Sequence, residues 1–241
     1  MELCIDAGNT RTKLAVFESG KIRFQLNLKR LTTSALRPVF KRFDIKSCIL
    51  SSVTSVPASS LSFIRQHCIL VRLNPRTILP LTNRYKTPET LGSDRLATAV
   101  GISKIFPGKN ILAIDLGTCI KYDFVNSRNE YLGGSISPGL NMRFQSLHAF
   151  TGKLPLIKAE TMKRLTGRST KESILSGVQL GMLNEMKGFI QQYKKEYKSL
   201  KVVLSGGDAA RFAGQLKIPI FAASDLVLIG LHEILLKNVP E

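Results

Sequence analysis

Short apolar runs alternate with polar turns over the first 110 residues. The first three apolar runs are rich in β-branched and aromatic residues and are separated by Gly-Asn-Thr and Ser-Gly turns. This pattern predicts a strand meander over residues 2–28. A further apolar run, "KSCILSSV", predicts a fourth strand. Helix-spaced apolar positions predict three helices, in "SALRPVFKRF", "SSLSFIRQH" and "SDRLATAVGISKIF".

The same pattern starts again near residue 111. "NILAIDLGTCIKYDFV" contains an apolar strand ending in Asp115, a Gly-Thr turn and a second strand, and "YLGGSIS" supplies a third. Aligning Asp6 with Asp115 matches D-x-G to D-x-G at the same strand–turn–strand position. We therefore expect two similar α/β domains, residues 1–110 and 111–241, each led by a three-stranded meander.

The C-terminal part predicts mostly helix. Residues 169–198 begin with a Ser-x-x-Glu capping box at Ser169 and Glu172 and continue with helix-spaced apolar positions, which predicts one long helix. The tail then predicts a strand at 201–205, a Gly-Gly turn, a helix, a short strand and a final helix over 224–238.

Composition narrows the class of protein. The chain has 241 residues, 44% of them hydrophobic, which is typical of a globular protein. It shows no apolar run near the ~20 residues of a membrane span and no signal-peptide layout, so we expect a cytoplasmic protein. Its four cysteines lie far apart in the sequence, and we expect them to be reduced and buried. The net charge of +18 would attract polyanions, but the basic residues are dispersed, and we expect no dedicated nucleic-acid partner and no membrane.

Each D-x-G hairpin offers chemistry for phosphate groups. Backbone N–H groups and a Thr hydroxyl can bind phosphate oxygens, and the neighbouring carboxylate can hold Mg²⁺ or its waters. One such hairpin is an ordinary turn, whereas two at matched positions favour a nucleotide clamp. The other common phosphate-binding motifs, such as the P-loop, are missing from the sequence.

Six motifs in order resemble those of the type III pantothenate kinases, in the superfamily of acetate and sugar kinases, heat-shock chaperones and actin. The motifs are "DAGNTRTK" (6–13), "LGSDR" (91–95), "DLGTCIKYD" (115–123), "GGSISPG" (133–139), "TGKLP" (151–155) and "RSTKESILSG" (168–177). The resemblance implies two ribonuclease H-like (actin-like ATPase) domains with helices on mixed sheets and a nucleotide cleft between them. It also implies ATP-dependent phosphorylation of pantothenate to 4′-phosphopantothenate, the first step towards coenzyme A, by a homodimer that uses Mg²⁺ and a monovalent cation, K⁺ or NH₄⁺.

The resemblance also assigns residue roles. It implies that Asp94 accepts the proton, that Arg95 grips the pantothenate carboxylate, that Asp6 holds Mg²⁺ and that Asp115 holds the monovalent cation. The implied ATP-binding residues are Asp6, Ala7, Gly8, Asn9, Thr10, Arg11, Thr12, Lys13 and Thr118. The implied pantothenate-binding residues are Tyr85, Gly92, Ser93, Asp94, Arg95 and Thr170, the last of them within one subunit or across the dimer.

Several of these residues also have plain structural explanations. Residues 93–95 could simply start a helix, with Asp94 favoured in its first turn, and Thr170 lies where capping hydroxyls are routine. Gly206 and Gly207 either let the backbone approach adenosine or form an ordinary turn.

The second phosphate motif departs from the family pattern. Cys119 replaces the usual Ala, and Lys121 replaces the usual Thr. If the Lys121 ammonium points at Asp115, its charge substitutes for K⁺. If the two side chains face apart, the expected dependence on K⁺ stands.

Two other functions are compatible with parts of the sequence. One is a kinase of the same fold with another small acceptor, and the other is a catalytically silent relative that binds nucleic acid through its positive charge. The joint presence of Asp6, Asp94, Arg95 and Asp115 argues against a silent relative.

Overall fold

The computed structural model describes residues 1–160, 164–216, 221–222 and 225–240. The chain forms two compact units. Unit 1 comprises residues 1–109, 125–133 and 225–241, and unit 2 comprises residues 110–124 and 134–224. The sequence predicts two domains, residues 1–110 and 111–241, and this division stays a prediction. The last helix, which follows unit 2 in the chain, belongs to unit 1.

Eleven strands are present in the described part of the chain. They are β1 (Glu2–Ala7), β2 (Thr12–Glu18), β3 (Lys21–Leu28), β4 (Ser47–Ser52), β5 (Ile69–Arg72), β6 (Thr82–Asn83), β7 (Ile111–Leu116), β8 (Cys119–Val125), β9 (Glu130–Pro138), β10 (Lys201–Ser205) and β11 (Phe221–Ala222). The predicted meander and the strands after residues 46, 110 and 200 are confirmed.

Eight α-helices are described. They are α1 (Thr33–Arg42), α2 (Ala58–His67), α3 (Ser93–Ile105), α4 (Leu140–Ala149), α5 (Thr170–Leu175), α6 (Gly181–Glu196), α7 (Ala209–Leu216) and α8 (Leu226–Asn238). Ser224, where the sequence predicts the start of the last helix, lies outside the described residues. No helix among the described residues is long and apolar enough to cross a bilayer.

The two units repeat one sheet topology. The first sheet has the order β3-β2-β1-β4-β5, with β1 antiparallel to β2 and parallel to β4. The second contains β9-β8-β7-β10-β11 in the matching order, with β7 parallel to β10, and β6 pairs with the first residues of β9. This repetition confirms the duplication inferred from the two D-x-G hairpins.

Burial follows the polarity of the strands. The middle strand β1 has a continuous apolar run whose residues Leu3, Cys4 and Ile5 are fully buried. The edge strand β3 alternates exposed and half-buried positions, as expected of a strand with one face towards water. Helix α8 contacts β1, β2 and β4 and crosses α3, so α3 has a rigid support beside the carboxyl ends of β1 and β4.

The helix predicted over residues 169–198 is interrupted. Ser169 caps α5 by accepting a hydrogen bond from the Glu172 N–H at 3.2 Å, which confirms the predicted cap. The Glu172 carboxylate accepts from the Arg168 N–H at 2.7 Å, one residue before the Ser169 N–H that a full capping box uses. A wide turn of the π type follows over Ser176–Leu180, and α6 then continues to Glu196.

All four cysteines are free thiols. Cys4 and Cys48 are buried, and burial raises the pKa of both thiols. Cys68 and Cys119 are only partly buried, unlike the expectation of four buried thiols.

Candidate active site

The turn between β1 and β2 places polar groups beside the Asp6 carboxylate. Asp6 is the penultimate residue of β1 and lies opposite Lys13 of β2. The N–H of Gly8 donates to the carbonyl of Arg11 at 3.1 Å, which closes the turn. The side chains between them, at positions 9 and 10, are exposed. The predicted phosphate-binding residues 6–13 therefore form one tight hairpin with a carboxylate at its base.

Ser51 joins this hairpin to the start of α3. The hydroxyl of Ser51 donates to Asp6 Oδ1 at 3.2 Å and lies 2.9 Å from the Ser93 hydroxyl. Asp6 and Ser51 are register partners on the parallel strands β1 and β4, and Ser51 is fully buried. The structure thus brings two predicted motifs, "DAGNTRTK" and "LGSDR", together in unit 1.

Sequence reasoning missed Ser51. It carries no motif, and its only signal is a polar residue at the carboxyl end of an apolar strand. That edge of a parallel sheet is where ligands commonly bind.

Asp94 and Arg95 occupy the first turn of α3. Asp94 Oδ1 accepts a hydrogen bond from the Arg95 N–H at 2.9 Å. Arg95 is only 5% exposed, and its guanidinium carbon lies 5.7 Å from the centroid of the Tyr85 ring. Tyr85 in turn stacks with Tyr131 at 6.2 Å. A guanidinium that is held against an aromatic ring presents a planar set of donors suited to a carboxylate.

The second hairpin, between β7 and β8, holds Asp115 in a similar position. Asp115 is the penultimate residue of β7, and its register partner on the parallel strand β10 is Ser205. The Ser205 hydroxyl donates to Asp115 Oδ1 at 3.1 Å, as Ser51 does to Asp6. The hairpin is closed by a hydrogen bond of 3.1 Å from the Gly117 N–H to the Cys119 carbonyl, beside Thr118.

The second oxygen of Asp115 is paired with a lysine. Lys121 Nζ lies 2.7 Å from Asp115 Oδ2, and the two side chains are 20% and 19% exposed. Of the two orientations that the sequence left open, the structure has Lys121 pointing at Asp115. The resemblance implies a monovalent cation at this carboxylate, but an ammonium contributes no lone pair and repels a second cation. The residues at Asp115 do not fit such a cation.

Packing accounts for Gly206 in the turn after β10. Its φ of +91° is in the left-handed region, and a Cβ there would lie 2.6 Å from backbone atoms of Leu116. The Asp208 N–H also donates to the Leu116 carbonyl at 3.1 Å. Only glycine fits this close approach. A contact of Gly206 or Gly207 with adenosine remains a prediction.

Thr170 begins α5 and lines a groove in unit 2. The groove has a volume of about 530 Å³, and its walls include Arg143, Leu154, Ile174 and Val178. Thr170 is separated along the chain from the cluster of Asp94, Arg95 and Tyr85 in unit 1. Its predicted contact with pantothenate remains a prediction.

A polar cluster near this groove was not predicted from the sequence. Glu185 accepts hydrogen bonds from the Tyr122 hydroxyl at 2.9 Å, from the Ser137 hydroxyl at 2.6 Å and from Arg143. Burial raises the pKa of Glu185, but these three hydrogen bonds outweigh it and lower the pKa below its usual value. Burial and the Glu185 carboxylate raise the pKa of Tyr122. The cluster therefore stays ionised at Glu185 and ties α4, α6, β8 and β9 together.

Comparisons with known proteins agree with this arrangement. The family model described as type III pantothenate kinase matches residues 2–192. The chain is 44% identical over 239 residues to the type III pantothenate kinase of Cytophaga hutchinsonii, covering 99% of this chain and 100% of that protein. It is 42% identical to that of Bacteroides fragilis strain YCH46, covering 99% and 98%.

Solved structures share the fold at much lower identity. A glucokinase from an Antarctic psychrotroph superposes with a TM-score of 0.53 at 11% identity, covering 98% of each chain. The architecture is the actin-like ATPase fold found in sugar kinases, as the resemblance implied. With its six motifs, its repeated sheets and these matches, the chain belongs to the type III pantothenate kinase family.

Proposed function

We propose that this protein transfers the γ-phosphoryl group of ATP to the primary hydroxyl of pantothenate, giving 4′-phosphopantothenate in the first step of coenzyme A synthesis. The observation that carries the proposal is the hydrogen-bonded chain from Asp6 through Ser51 to Ser93. It joins a phosphate-binding hairpin to the helix start that bears a candidate base, Asp94, and a candidate anion ligand, Arg95.

The hairpin of residues 6–13 supplies the nucleotide contacts in this proposal. Its backbone N–H groups, its hydroxyls and Lys13 face the negative charge of a triphosphate. Asp6 fits a Mg²⁺ ligand, because Mg²⁺ in kinases is bound by one or two carboxylates, by water and by substrate phosphates. When bound, Mg²⁺ neutralises charge on the transferred group. In unit 2, we assign Thr118 to an ATP contact.

Asp94 accepts the proton of the attacking hydroxyl. Asp94 lies in the first turn of α3, where the partial positive charge of a helix N-terminus favours negatively charged side chains. A positioned base of this kind typically contributes about 10²–10⁴-fold to the rate.

Arg95 and Tyr85 bind the other end of pantothenate. The buried guanidinium meets the substrate carboxylate, and the Tyr85 ring holds the guanidinium plane in place. Gly92 and Ser93 complete this pocket as the residues that precede Asp94. The resemblance further supports a cytoplasmic homodimer in which Thr170 reaches pantothenate, and its position on a groove wall is compatible with that role.

The test measures ADP release with pantothenate for Asp94→Asn. This variant preserves size and removes the base, so we expect the rate to fall by about 10²–10⁴-fold. Asp44→Asn is the matched control, since Asp44 is an exposed carboxylate paired with Lys46. A fully active Asp94→Asn variant would refute the assignment of the base.

The same assay separates the two other functions. Release of ADP with a different alcohol, but not with pantothenate, would identify a kinase with another acceptor. Absence of turnover together with tight, steeply salt-dependent DNA binding would identify a silent regulator. Family membership favours neither alternative.

A further inference from the structure

The β7–β8 hairpin contains a cation that is part of the chain. Lys121 Nζ lies 2.7 Å from Asp115 Oδ2, and about four fifths of each side chain is shielded from water. The other carboxylate oxygen accepts the Ser205 hydroxyl at 3.1 Å. Both oxygens of Asp115 are therefore engaged, and its charge is balanced.

The chemistry of the donor set disfavours a second cation at this carboxylate. Potassium requires several oxygen ligands, whereas an ammonium has three donors and no lone pair. Cys119 begins β8 beside the turn, and a sulfur atom is a poor ligand for a hard cation. A lysine side chain ends in an alkyl ammonium, which is a tethered form of NH₄⁺.

The position of the ammonium is fixed by the hairpin. The turn is closed by the hydrogen bond from Gly117 to Cys119, and the Asp208 N–H binds the Leu116 carbonyl from the following turn. A charge that is held in a partly shielded place needs no reorganisation when a phosphate anion approaches. A free ion must first be recruited from solution.

We propose that the Lys121 ammonium replaces the monovalent cation expected for this family, so that the protein phosphorylates pantothenate without K⁺ or NH₄⁺. The proposal rests on the proposed function for its activity readout. It makes Lys121 a positioning residue that acts through its charge beside Asp115.

The first experiment measures ADP release by the full chain in KCl, NH₄Cl, NaCl and Tris-HCl at matched ionic strength, because screening alone changes rates. The wild-type rates should agree within error in all four salts. Lys121→Thr removes the charge and supplies a hydroxyl, and its rate in Tris-HCl should fall at least about tenfold and recover in KCl or NH₄Cl. Lys201→Met, a lysine of β10 in the same sheet, is the control and should behave as wild type.

A second readout does not need turnover. Melting temperatures without nucleotide should show no difference between KCl and NaCl for the wild type. Lys121→Thr should gain stability in KCl over NaCl, because an ion that binds only the folded state stabilises it. Lys121→Met removes the charge and supplies no oxygen ligand, so it should lose activity without recovery by K⁺.

The possible results distinguish failure of the Lys121 proposal from failure of the proposed kinase function. Activation of the wild type by K⁺ over NaCl would overturn the proposal and leave the kinase function intact. Full activity of both Lys121 variants in Tris-HCl would overturn it as well, since the ion pair would then be structural only. Absence of ADP release with pantothenate in every salt would refute the proposed function instead, and the melting data would still test the cation.

Discussion

The crossing of α3 and α8 leaves no room for a methyl group at Gly230. A Cβ there would lie 2.7 Å from the carbonyl carbon of Ala97 and 2.9 Å from the nitrogen of Gly101, with the Ala97 oxygen closer still. All three are backbone atoms, which cannot rotate away. The helices would have to part by at least about 0.7 Å, the difference between 2.7 Å and an ordinary contact of 3.4 Å.

Gly230→Ala tests this packing through two opposing effects. Alanine gains about 1 kcal/mol of helix propensity over glycine. This gain is opposed by overpacking, which typically costs about 1–3 kcal/mol at a well-packed site and sometimes more. The cost at Gly230 is at the high end, because a whole helix must move. Side chains of α8 such as Leu228 and Leu231 are fully buried and would move with it. We therefore take the overpacking cost as about 3–4 kcal/mol. Less the gain of about 1 kcal/mol, the expected net loss is about 2–3 kcal/mol, or roughly 4–12 °C in Tm for a chain of this size.

Urea unfolding followed by circular dichroism measures the change, and Gly188→Ala is the control. Gly188 lies inside α6, and a Cβ there meets no atom within 4 Å, so this variant should gain up to about 1 kcal/mol. Because α3 carries Asp94 and Arg95, Gly230→Ala should also raise the KM for pantothenate. A Gly230→Ala protein as stable as the wild type would refute the reasoning, as would an equal loss in the control.

Two further predictions concern buried polar groups. Ser51→Ala removes one hydrogen bond from Asp6 and one from Ser93, so it should cost about 1–3 kcal/mol in urea unfolding. The exposed control Ser55→Ala should cost almost nothing, and equal effects of the two variants would contradict the role of Ser51. Hydrogen bonds from an asparagine and two arginines lower the pKa of Glu130 from 4.5 to about 2, so its contribution to stability is present above pH 4.5 and is lost as the pH falls towards 2. Glu130→Gln should therefore show a smaller drop in Tm than the wild type between pH 6 and pH 3, and parallel curves would count against this.

The sequence predicts features that depend on local patterning. The strands, the two D-x-G hairpins and the Ser169 cap follow from polarity and turn residues alone. Ser51 and Ser205 could not be predicted, because their contacts depend on the register of parallel strands that are far apart in the chain.

Orientation is also beyond local patterning. Whether Lys121 faces Asp115 depends on the length of the turn between two strands, and one residue more or less reverses the face. The wide turn at Ser176–Leu180 likewise interrupts a run whose apolar spacing is compatible with an unbroken helix.

In the described residues, each unit has a hydrogen bond from a serine hydroxyl to an aspartate on the neighbouring strand. The two copies share their geometry, and in the second copy Lys121 forms an ion pair with the aspartate. Under the proposal for Lys121, one codon change at this position would let a lineage with this architecture gain or lose its dependence on K⁺, without rebuilding either half of the molecule.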